Sequence, residues 1–68
     1  MGSSPRTKSE YLRAIQNEME ALEQAKNRVL QLKQNGDKQA ATAYQVYVNS
    51  HKTKIAQLKL AMKSAPKD

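Results

Sequence analysis

Lys33-Gln34-Asn35-Gly36-Asp37-Lys38 is the stretch on which the fold of this chain depends. Asn-Gly-Asp is a turn signal, and Gly36 is the only glycine beyond position 2. Asn35 can end a helix, Gly36 can take the left-handed conformation that follows one, and the Asp37 carboxylate can cap the next. The two prolines, Pro5 and Pro66, stand near the ends. Between them the chain is rich in Ala, Gln, Glu, Lys and Leu, all good helix formers. This punctuation predicts an all-α antiparallel hairpin. Helix 1 runs over about residues 8–35, the turn lies at 35–37, and helix 2 runs over about 38–64. Residues 1–7 and 65–68 read as flexible tails on a single 8–64 domain.

Working outward, helix 1 has two possible starts. Ser4 can cap it with Pro5 in the first helical position. Alternatively, Thr7-Lys8-Ser9-Glu10 is a capping box, in which the Thr7 hydroxyl accepts from the Glu10 amide and the Glu10 carboxylate accepts from the Thr7 amide. Helix 2 stops at Ala65-Pro66, because the residue before a proline is pushed out of helical geometry.

Periodicity separates an ordered hairpin from a disordered chain. Six Leu, two Ile, three Val and no Phe make up 16% of 68 residues, a content that alone would suit disorder. Yet Ala41, Tyr44, Val48, His51, Ile55, Leu58, Met62 and Ala65 recur in alternating steps of three and four, with only His51 polar. The same spacing in helix 1 gives Leu12, Ile15, Met19, Leu22, Lys26, Val29 and Lys33. These are heptad a and d positions of a coiled-coil-like seam.

A short turn makes the helices antiparallel neighbours, and the turn then fixes the register. Glu23 is expected beside Lys52, and Glu18 near Lys54. His51 is expected to face Leu22, close to Lys26, as a buried polar residue that fixes register. Beside the seam lies a second apolar edge: Tyr11, Ala25 and Leu32 on helix 1, Ala40, Tyr47 and Ala61 on helix 2. An apolar face this wide suits a bundle, and a lone hairpin of this size is short of core. The expectation is a homodimer forming a four-helix bundle through that edge. Tyr44 reads as seam and Tyr47 as interface, where tyrosine is favoured. Val46 and Leu60 point away from the seam.

The net charge is +6 and the isoelectric point about 9.9. The excess lies in the second half, where Lys38, Lys52, Lys59 and Lys63 form a stripe along helix 2. Such a stripe suits an acidic protein partner, or alternatively RNA or DNA, although no DNA-reading motif accompanies it. As architecture, the hairpin is similar to the Rop-type RNA modulators of plasmids, which are dimers of helical hairpins. Gly36-Asp37 followed by Tyr44-Gln45-Val46-Tyr47 is also similar to the turn and second helix of the small co-chaperones of type III secretion needle subunits. Both likenesses imply a hairpin that works by binding, and neither carries a function over by fold alone.

Catalysis is not expected. With no Cys, the chain has no disulfide framework, thiolate metal site or Cys nucleophile. It has one His, no Gly-rich phosphate loop and no His-Glu metal pair. Ser50 and His51 are neighbours in sequence, but adjacent helical positions do not face each other. No catalytic, cofactor or metal residues are therefore assigned. The apolar runs are too short for a membrane span. Met1-Gly2-Ser3-Ser4 begins no secretory signal, and Arg6 stands where myristoylation wants Ser or Thr. A cytoplasmic adaptor or chaperone-like protein is the expectation.

Overall fold

At the centre of the chain, Asn35 has helical dihedrals and Gly36 has φ 80°. The Gly36 amide donates to the Lys33 carbonyl (3.0 Å) and the Asp37 amide to the Leu32 carbonyl (2.9 Å). This pair of bonds is the Schellman arrangement, which satisfies carbonyls that a helix end leaves unpaired. A β-carbon on Gly36 would meet nothing within 4 Å. Glycine is favoured there by backbone conformation, since left-handed geometry costs other residues about 1–2 kcal/mol. Asp37 Oδ1 then accepts from the Ala40 amide at 3.2 Å and caps the next helix.

The structure is a computed structural model and describes residues 5–67. Most of them lie in two helices: α1, Lys8–Gln34, and α2, Lys38–Lys63. They pack against each other as a hairpin. The expectations for residues 1–4 and 68 lie outside the described residues. α1 uses the Thr7 start: Thr7 Oγ1 accepts from the Glu10 amide at 3.3 Å. The return bond differs, because Glu10 Oε2 accepts from the Arg6 amide at 2.8 Å instead of from Thr7. The carboxylate still places negative charge at the positive end of the helix dipole. α2 ends at Lys63 with Ser64 as its cap. Beyond it, the Pro66 carbonyl accepts from the Lys8 amide at 3.1 Å. The open end of the hairpin is thus tied across by a donor that α1 cannot satisfy itself.

The seam departs from expectation chiefly in α1. In α2 the expected row faces α1 except at Tyr44: Ala41, Val48 and Ile55 are buried, and His51, Leu58 and Met62 half-buried. In α1 the inward row is Tyr11, Ile15, Glu18, Leu22, Ala25, Val29 and Leu32, with Ile15, Ala25 and Val29 buried. Leu12 and Met19, expected in the seam, are 49% and 50% exposed. Lys26 and Lys33 are exposed too. Composition explains this turn of α1 about its axis. The expected row contains two lysines, whose charged heads cannot be buried without a partner, whereas the observed row contains one residue that is charged at neutral pH, Glu18. Near the bend, Ala25, Val29, Ala41 and Val48 form the tightest cluster, flanked by Leu22 and Leu32.

The molecule measures 47 × 20 × 15 Å, with a radius of gyration of 14.8 Å. A globular chain of this length would have about 11 Å. The hairpin is a rod with one seam, and each helix leaves most of its circumference uncovered.

Candidate interaction surface

Tyrosines apart, each row of the seam contains a single ionisable member, Glu18 in α1 and His51 in α2. These two meet: His51 Nδ1 donates to Glu18 Oε2 at 2.6 Å, with the side chains about a quarter exposed. Each thereby satisfies the other at a position where an unpaired polar group would be costly. This contact replaces two expected ones. Glu18 bonds His51 instead of Lys54, and no ion pair joins Glu23 to Lys52 among the described residues. Glu23 and Lys52 are both exposed, and α1 has rotated its Glu23 row outward, so neither is held against the other. The sequence contained a signal for the pairing: an isolated acid and an isolated imidazole, one in each otherwise apolar row.

The same rotation redistributes the six residues expected to form an apolar edge. Ala25 is a core residue at 6% exposure, so its assignment to an intermolecular interface is corrected. Tyr11, Leu32 and Ala40 are half-buried, and Tyr47 and Ala61 remain exposed. Tyr44, expected inside the seam, is 37% exposed instead. The α1 residues bordering the same depression are Ala21, Gln24 and Ala25, and neither alanine is large enough to cover a phenol ring. The ring leans outward onto Tyr47, with centroids 5.3 Å apart and planes at 55°.

This side of the hairpin has two open grooves. One, near the open end, is about 540 Å³ and is bordered by Tyr11, Ala14, Glu18, Lys54, Leu58 and Ala61, among others. The other, about 240 Å³, lies at mid-height between Ala21, Gln24 and Ala25 on α1 and Tyr44, Tyr47 and His51 on α2. Glu18 borders the first and His51 the second, so their hydrogen-bonded contact is the ridge between two alanine-lined depressions.

The opposite side is chemically distinct. It carries the exposed Leu12 and Met19, with Leu30 nearby at 56% exposure. At the turn, Lys33 and Lys38 border a common groove with Thr42 and Gln45. At the open end, Leu12, Arg13, Gln16 and Met62 border another. Lys38, Lys52, Lys59 and Lys63 are all exposed, and among the described residues none forms an ion pair within 4.0 Å. Val46 and Leu60, at 66% and 68% exposure, lie away from the seam as expected.

Among the described residues no cluster of His, Cys, Asp or Glu could hold a metal ion, and no helix is long and apolar enough to cross a membrane. No family model, curated protein or solved structure matches this chain.

Proposed function

We propose that this chain is a non-enzymatic interaction protein. It is a helical hairpin that pairs with a second copy through its alanine–tyrosine side, forming a four-helix bundle. Its lysine-rich side then remains free for an acidic protein partner. The observation that carries the reading is the exposed Tyr44–Tyr47 pair beside grooves lined with alanines. A surface that places bulky rings next to small-residue depressions is complementary to its own two-fold copy. Tyrosine contributes contact area at interfaces while its hydroxyl stays near water.

Surface arithmetic supports the same reading. The chain exposes 5469 Å², against about 4,300 Å² for a compact monomer of its mass. Pairing two rods side by side removes the kind of surface that makes up the excess. Alanine at 14, 21 and 61 lets helices approach closely, and the two sides differ enough in charge to give the dimer a defined inside and outside.

The test is sedimentation equilibrium at micromolar concentration. The expected mass is twice the 7.6 kDa of one chain. Tyr47→Glu should return it to one chain mass with helix content retained, because a carboxylate would be desolvated at the contact without a partner. A wild-type protein that sediments as a fully helical monomer overturns self-association.

A further inference from the structure

With α1 turned as observed, two rows of side chains flank the interhelical cleft on the lysine-rich side, which opens into one groove beside the turn and another at the open end. Along α1, Leu12, Met19, Lys26 and Lys33 recur every seven residues; along α2, Lys38, Gln45, Lys52 and Lys59 do the same. Lys33 and Lys38 border one groove beside the turn. Counted outward in sevens along both helices, the register sets Lys26 opposite Gln45, Met19 opposite Lys52, and Leu12 opposite Lys59. Every rung carries at least one lysine and neither row contains an acid; Glu10 borders the open-end groove, where Lys8 and Arg13 outnumber it. Met62 joins Leu12 at the open end. This ladder does not exist if α1 buries Leu12 and Met19, so it is a property of the folded hairpin and not of the lysine stripe of α2 alone.

We infer that this cleft receives one acidic amphipathic helix from a partner protein, packed lengthwise as a third helix. The inference deepens the interaction-protein reading above and rests on it for the partner's class. The rungs follow one another at about 10.5 Å, which is seven residues of helical rise. A partner helix with Asp or Glu once per heptad meets one rung per repeat. Its apolar residues sit over Leu12, Met19 and Met62, where the ladder turns from cationic to apolar. That graded composition separates a helix from a phosphate backbone. Phosphates would take the lysines equally well but would gain nothing from two half-exposed apolar side chains in the same row. The lysines set approach and orientation, and the apolar end supplies contact area.

The probe is a fluorescein-labelled synthetic helix of about three heptads. It has Glu at each position facing a lysine rung and Leu at the positions facing Leu12 and Met19. It is titrated with the full chain at two salt concentrations. Saturable binding that weakens as salt rises is expected. Lys26→Glu/Lys52→Glu should weaken it at least about tenfold, and Leu12→Ser/Met19→Ser by about tenfold. Val46→Glu, away from both sides at 66% exposure, should leave it within about twofold. Loss of binding in none of the cleft variants, or equal loss in Val46→Glu, overturns the cleft. A single-stranded oligonucleotide or a phosphatidylserine vesicle that binds more tightly than the peptide, unaffected by Leu12→Ser/Met19→Ser, overturns it in favour of that anion. Sedimentation of the same proteins separates the two readings. A chain that binds the peptide as a monomer supports the cleft and refutes only self-association. A dimer that ignores the peptide refutes only the cleft.

Discussion

At Glu18 and His51, two residues that would each be a liability alone become a locating device together. Their 2.6 Å contact is the side-chain hydrogen bond between the helices among the described residues, and it sits between apolar layers formed by Ile15 and Leu22 on one helix and Val48 and Ile55 on the other. A slip of either helix by one turn would separate the pair and leave both groups facing apolar neighbours. Removing one partner therefore differs from removing both. His51→Leu alone leaves the Glu18 carboxylate over an apolar surface and should lower stability, by no more than about 1 kcal/mol because the site is partly exposed and screened. Glu18→Leu/His51→Leu should match or exceed the wild type, since two apolar residues complete both rows. Urea denaturation of the two single variants and the double variant gives the coupling directly. A double variant less stable than both singles would contradict this account.

At the scale of the elements, the two helices differ in how legible they were. The turn, both helix boundaries to within a residue or two and the inward row of α2 could be read from Asn35-Gly36-Asp37 and from a row with only His51 polar. The inward row of α1 was ambiguous. Leu12, Ile15, Met19, Leu22 and Val29 compete with Tyr11, Ile15, Leu22, Ala25, Val29 and Leu32, and the two rows share their middle residues. Hydrophobic period alone does not choose between rows some 50° apart; the number of charges each would bury does. Tyr44 was misplaced for a related reason, because whether it is covered depends on the size of the α1 side chains at its level. The observed rotation has a measurable consequence. Leu12→Ser and Met19→Ser should each change stability by less than about 0.5 kcal/mol, as surface substitutions do. Ile15→Ala should cost about 2–3 kcal/mol, as a buried truncation does in a thin core. Comparable losses at all three positions would place α1 in the alternative rotation.

For the whole molecule, the limiting quantity is the second layer that a two-helix rod lacks. Only Ile15, Ala25, Val29, Ala41, Val48 and Ile55 are buried among the described residues, and two of these six are alanines that contribute little apolar area. A core of this size stabilises weakly. Much of the proposed protein's stability must then come from the contact between copies, and stability becomes inseparable from concentration. Raising the chain concentration tenfold should stabilise a dimer by about 1.4 kcal/mol per mole of dimer and lift the thermal midpoint by about 3–6 °C. Tyr47→Glu should abolish that dependence while also lowering the midpoint. Lys26→Glu/Lys52→Glu should preserve it, because those lysines lie on the other side of the rod. Circular dichroism melts across a hundredfold concentration range distinguish these cases. A midpoint independent of concentration in the wild type would mean that the single seam, with its Glu18–His51 pair and its two capped helices, is sufficient to hold the hairpin alone.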